Sequence, residues 1–217
     1  MPAELKFCGV TRAADAAEAA HLGADFIGVV FAGGPRRIDA ASAAECFAPV
    51  PREVARVGVF GPQTADEIAE IAAVASLDVA QLHGDPDASA VERVRTRTGL
   101  VVWSVVRVEG SRLPAALPEL IDAADAIVLD AKVAGALGGT GHSFDWRRVA
   151  DALAPMRARM RIVLAGGLTP ENVASAIDTM HPDVVDVSSG VESAPGVKDH
   201  ARMRAFSDAV RHAGANR

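Results

Sequence analysis

Short apolar runs rich in Val and Ile recur along the chain, and each is followed by an Ala-rich amphipathic segment. Eight such runs occupy residues 5–8, 26–31, 55–60, 79–82, 101–106, 126–130, 162–165 and 184–188. They show little polar alternation, as strands covered on both faces require, and strands alternating with helical segments build a parallel sheet from βα units. Helix starts are read at Thr11, at Asp39 with Ser42, at Thr64 with Glu67, and at Thr169 with Pro170 and Glu171. An N-cap oxygen satisfies a free backbone N–H there, and proline in the first turn loses no needed donor. Gly23, Gly84 and Gly99 mark helix ends or turns, where a positive φ or a tight reversal costs glycine little.

No Ser/Gly-rich linker, charge block or shift of composition divides the 217 residues. Eight βα units of about 27 residues each predict an α/β fold, a single-domain (β/α)8 TIM barrel with a closed parallel sheet over residues 1–217. Its active site is then expected at the carboxyl ends of the strands. The alternative is an open doubly wound sheet, but the turn after the first run reads Cys8-Gly9-Val10-Thr11, not Gly-x-Gly-x-x-Gly. A Gly-x4-Gly-Lys-Ser/Thr loop is also absent, so nicotinamide and ATP chemistry are disfavoured and no cofactor is expected.

Charge and composition narrow the partners. The formal charge is −6 and aromatic residues make up 4% of the chain, so the basic footprint and stacking platforms of a nucleic-acid binder are missing. No apolar stretch approaches the roughly 18–20 residues that span a bilayer, and residues 1–6 do not open a signal peptide. A cytoplasmic protein with a small-molecule partner, and with no membrane or nucleic-acid partner, is expected; monomer and homodimer both remain open. Cys8 and Cys46 are too few for a disulfide framework, and the histidines lack metal-site spacing, so no metal is expected.

The polar residues at or just beyond the predicted strand ends are Cys8, Arg36, His83, Asp130, Asp186 and Ser188. Cys8 is either a small core residue or a thiol facing the barrel mouth, whereas Cys46, inside a helical stretch, fits the core. Asp130 closes an apolar run, where a carboxylate needs solvent or a partner; a helix cap or an ion pair with Lys132 would satisfy it equally. Of three Gly-rich stretches, 138–141, 165–168 and 188–192, the last two follow strands seven and eight. In such barrels those loops commonly bind phosphate, because small residues let backbone N–H groups approach an anion. A phosphorylated ligand is therefore expected, with Gly166, Gly167, Ser189 and Gly190 against its phosphate.

The segments Lys6-Phe7-Cys8-Gly9-Val10-Thr11, Pro35-Arg36-Arg37, Gln81-Leu82-His83-Gly84, Leu129-Asp130, Ala165-Gly166-Gly167-Leu168 and Asp186-Val187-Ser188-Ser189-Gly190-Val191-Glu192 follow one another in order. In this the chain resembles the phosphoribosylanthranilate isomerases of tryptophan biosynthesis, from residue 5 to about residue 206. Phe7 departs from the family's usual aliphatic residue and should alter packing more than chemistry. The resemblance implies an Amadori rearrangement, with Asp130 as general acid, Cys8 as general base and Arg36 meeting the anthranilate carboxylate; Arg37 is an alternative to Arg36. His83 and Asp186 line the mouth by the same analogy, or hold neighbouring side chains.

An acid role for Asp130 and a base role for Cys8 both ask for shifted titration. Burial would raise Asp130, and a nearby cation or backbone dipole would lower Cys8. Strand alternation puts Lys6 on the side of Cys8, but its depth in the barrel keeps the sequence from placing it as that cation. Two other phosphosugar barrels compete. The indole-3-glycerol-phosphate synthases need catalytic lysines, and this chain has only Lys6, Lys132 and Lys198; the histidine-pathway isomerase uses an Asp pair where this chain has Cys8 and Val106. A catalytically silent phosphosugar-binding barrel would be expected to lack Cys8 or Asp130. Glycines at 135, 138, 139 and 141 are compatible with mobility of the segment 131–143, but the sequence does not say whether it closes as a lid.

Overall fold

The computed structural model describes residues 3–131 and 145–215; the Gly-rich stretch 138–141 and nearly all of the segment 131–143, whose closure the sequence leaves open, lie outside them. Eight parallel strands close into a barrel in chain order: β1 (Glu4–Phe7), β2 (Phe26–Val30), β3 (Ala55–Phe60), β4 (Val79–Leu82), β5 (Val101–Val108), β6 (Ala126–Ala131), β7 (Ile162–Leu164) and β8 (Val184–Val187). The ring closes where β1 pairs with β8, Lys6 opposite Asp186 and Phe7 opposite Val187. Seven of the expected runs coincide with strands to within one residue at either end, and β5 continues two residues past Val106, which sets Arg107 beside Asp130 of β6.

Helices α1 (Ala13–His21), α2 (Ala40–Phe47), α3 (Ala65–Ala75), α4 (Ala88–Thr98), α5 (Leu117–Ala123), α6 (Trp146–Leu153), α7 (Val173–Met180) and α8 (His200–Ala215) follow strands one to eight. No helix among the described residues is long and apolar enough to cross a membrane. Alternation along each strand makes two cores. Phe26, Val57, Trp103, Val128 and Val163 pack inside the barrel. Outward residues such as Phe7, Ile27, Leu129 and Leu164 meet the helices. Phe7 turns away from the mouth and packs on Phe206 of α8, ring centroids 6.3 Å apart, so its departure from the family pattern is absorbed by the outer layer.

Asp39 caps α2 by accepting from the Ser42 N–H, and Thr64 with Glu67 forms a reciprocal capping box on α3. The two other expected starts are displaced. Arg12, not Thr11, precedes α1, because the Thr11 hydroxyl is drawn 2.6 Å to the Gly196 carbonyl across the mouth. Asn172, not Thr169, precedes α7; its side chain accepts from Thr169 N and donates to the Gly167 carbonyl, so Thr169 opens a turn instead. Gly23 and Gly99 adopt positive φ as expected, but Gly84 does not; there a Cβ would stand 2.8 Å from the Gly61 carbonyl oxygen.

Between β8 and α8 the chain makes a turn of 3-10 helix (Ser189–Val191) and a short hairpin, β9 (Glu192–Ala194) with β10 (Val197–Lys198). This insertion folds over the end of β1. Arg12 donates to the Lys198 carbonyl, Asp15 accepts from the Lys198 N–H, and His200 meets the same Asp15 at 2.9 Å.

Candidate active site

The carboxyl ends of the strands surround a cavity of about 560 Å3. Cys8, Arg36, His83, Asp130 and Asp186 all line it, as do Gly166 and Gly167 beyond β7 and Ser189 and Gly190 beyond β8. Cys8 follows β1, with its N–H donating to the Val187 carbonyl, and Asp130 lies near the end of β6, so thiol and carboxyl come from separate arcs of one mouth. Room for the thiol comes from Gly28 on β2, where a Cβ would stand 2.9 Å from Cys8 Sγ and 3.3 Å from Lys6 Cε.

Beneath the thiol lies a wholly buried ammonium. Lys6 donates to Asp186 Oδ2 at 2.6 Å and to Gln81 Oε1 at 2.9 Å. Burial weakens this cation, but Asp186 and Cys8 together outweigh it and the Lys6 pKa ends above its ordinary value. For Cys8 the balance falls the other way. Burial pushes the thiol up, and the pull of Lys6 and Lys198 does not offset it. The expected cation is therefore present, yet the expected net lowering does not occur.

His83, just after β4, is held near pKa 4 by burial and by the cations Arg107 and Lys6. It is neutral at pH 7, so its 3.8 Å approach to Asp130 is not an ion pair. Neither ring nitrogen has a hydrogen-bond partner among the described residues. Arg36 is less free than the sequence suggested. Its Nε and Nη2 donate to the two oxygens of Glu192 at 2.8 and 2.7 Å.

Sequence reasoning missed four residues that shape this site. Glu192 and Lys198 come from the hairpin, and their distance along the chain from Cys8 and Arg36 hid them. Gln81 was visible as the one polar residue of a Val-Ala-Gln-Leu strand. Asn172 fixes the Gly167 carbonyl, a role only its neighbours in space reveal. The glycines behave as a close-approach site demands. Gly166 and Gly167 have φ of 82° and 70°, and a Cβ on Gly190 would collide with the Leu168 carbonyl.

A closed (β/α)8 ring with a thiol and a carboxyl in one mouth, beside glycine loops after its last two strands, is the architecture of a barrel enzyme with an acid/base site. Comparison with known proteins makes this specific. The profile of N-(5'phosphoribosyl)anthranilate (PRA) isomerases matches residues 5–209. The N-(5'-phosphoribosyl)anthranilate isomerase of Pseudomonas fluorescens (strain Pf0-1) is 41% identical over 212 residues, covering 95% of this chain and 97% of the relative. The crystal structure of phosphoribosyl anthranilate isomerase from Thermotoga maritima superposes with a TM-score of 0.84 at 35% identity, covering 97% of this chain and 99% of that one. Another solved isomerase, in complex with reduced 1-(o-carboxyphenylamino)-1-deoxyribulose 5-phosphate, gives 0.81 at 33% identity, with coverage of 97% and 99%. The chain belongs to the N-(5'-phosphoribosyl)anthranilate isomerase family.

Proposed function

We propose that the chain converts N-(5-phosphoribosyl)anthranilate to 1-(2-carboxyphenylamino)-1-deoxyribulose 5-phosphate, a step of tryptophan biosynthesis, with Asp130 as general acid and Cys8 as general base. Asp130 delivers a proton to the furanose ring oxygen; the C1–O bond breaks as the nitrogen lone pair forms a C1=N bond. The Cys8 thiolate then takes the proton from C2. The freed pair becomes the C1=C2 bond, the C=N pair returns to nitrogen, and the enolamine tautomerises to the ketone by gaining a proton at C1 and losing one from the C2 hydroxyl.

The observation that carries this reading is the meeting of Cys8, Asp130 and the two glycine loops in one cavity large enough for a phosphosugar with an aromatic substituent. Gly166, Gly167, Ser189 and Gly190 take the phosphate, Arg36 the anthranilate carboxylate, and neutral His83 a sugar hydroxyl. Asp186 orients Lys6 under the thiol. The raised Cys8 pKa makes its thiolate a strong base present in small fraction, a compromise that general-base catalysis tolerates when the base is well placed.

Loss of substrate fluorescence on mixing with freshly made phosphoribosylanthranilate tests the assignment. Cys8→Ala and Asp130→Asn should each lower kcat by about 10²–10⁴ without unfolding the protein. Wild-type turnover in either variant would overturn that residue's role, and no acceleration by the wild type would overturn the reaction.

A further inference from the structure

We propose that Glu192, backed by Lys198, is a positioning residue that sets the Arg36 guanidinium for the carboxylate of the ligand. The proposal rests on the reading that Arg36 meets that carboxylate. Arg36 stands in the loop between β2 and α2, and Glu192 stands 156 residues later at the start of the hairpin. The pair is bidentate, through Nε at 2.8 Å and Nη2 at 2.7 Å, the side-on geometry that fixes the guanidinium plane. Neither bond uses Nη1, which leaves an edge of the guanidinium for a second carboxylate.

The other end of Arg36 is fixed as well. A Cβ at Gly9 would stand 2.6 Å from Arg36 Cδ and 2.8 Å from Ser188 Oγ, so the arginine stem lies directly on the β1 turn next to Cys8. A long flexible side chain is thus held at stem and head, and its rotamer freedom is given up on folding instead of on binding.

Glu192 is itself held. Lys198, wholly buried, donates to Glu192 Oε1 at 2.9 Å and to the carbonyls of Cys8 at 2.6 Å and Ser188 at 3.1 Å. Burial would raise the Glu192 carboxyl, but the Arg36 and Lys198 cations together keep it below its ordinary range, so it stays ionised. Two cations around one carboxylate leave this group of three with one uncompensated positive charge, in a chain whose formal charge is −6. Glu192 therefore orients Arg36 without cancelling the attraction for an anion.

Binding of two stable ligands separates this role from a merely structural one. The first is reduced 1-(o-carboxyphenylamino)-1-deoxyribulose 5-phosphate; the second is its anilino counterpart without the carboxyl group. Dissociation constants are measured for the wild type, Arg36→Met, Glu192→Gln and the double variant. The wild type should prefer the carboxylated ligand by roughly tenfold or more, as a charge-assisted hydrogen-bonded pair implies. Arg36→Met should abolish that preference. Glu192→Gln, which turns an amide N–H toward the arginine N–H groups, should remove most of it while leaving the anilino ligand's affinity unchanged. The double variant should be no worse than Arg36→Met.

A wild-type preference in Arg36→Met overturns the reading of Arg36, and the proposal with it. Loss in Arg36→Met with a retained or strengthened preference in Glu192→Gln overturns the role of Glu192 alone, as does equal weakening of both ligands. Glu192→Asp keeps the charge shared with Lys198 and shortens the reach by one methylene. It serves if the glutamine variant does not fold; a several-fold loss of preference is expected, and an unchanged preference overturns the proposal.

Discussion

Two buried ammonium groups, Lys6 and Lys198, act on the Cys8 thiol, and desolvation still outweighs them. The reactive form is consequently the minor one at neutral pH, and the rate of Cys8 alkylation by iodoacetamide should keep climbing from pH 7 to 9 without a plateau. Lys6→Met removes a group that favours the thiolate and leaves Asp186 opposing it, so alkylation at a given pH should slow. A plateau below pH 7, or faster alkylation in that variant, would contradict this balance. His83 contributes at the acid side. Its imidazole protonates near 6.5 in an unfolded chain and near 4 in the fold, so the unfolded state binds more protons across that window. Stability is complete above about pH 6.5 and declines as the pH falls toward 4, by at most about 3 kcal/mol. Urea titrations of His83→Gln should show a flatter profile from pH 6.5 to 4 than those of the wild type.

At the scale of elements, the loops after β7 and β8 are separated by the thickness of one glycine. Gly190→Ala would force its methyl into the Leu168 backbone, so the two loops must part. The KM for the phosphorylated substrate should then rise at least about tenfold with a much smaller change in kcat, because misplaced donors weaken phosphate binding without touching Cys8 or Asp130. The strands and the caps at Asp39 and Thr64 were legible because each rests on a local rule, apolar continuity or an oxygen three residues from an N–H. Thr11 and Thr169 obeyed the same rule on paper, but Thr11 was claimed by Gly196 and Thr169 by Asn172. The site divides similarly. Residues at strand ends could be placed from the sequence, whereas the Arg36–Glu192–Lys198 group is made by a hairpin whose position no local pattern encodes.

Across the whole molecule, the ring is held shut at the β1–β8 seam by a buried ion pair as well as by backbone pairing. Removing one partner leaves an uncompensated charge in the barrel, so Lys6→Met or Asp186→Leu should each cost about 3–5 kcal/mol, while the double replacement should recover much of that loss. Denaturant unfolding of the two single variants and the double variant checks this cycle. The same seam has a consequence for synthesis. Besides the bond from Lys6 to Gln81, the first strand and its turn are tied to residues 186–198, through Asp186, Val187, Gly196 and Lys198. Cys8 is synthesised well before those partners. Until β8 and the hairpin have been made, Cys8 is an ordinary thiol on an open chain, and a chain that stops before β8 has the thiol but not the enclosure around it.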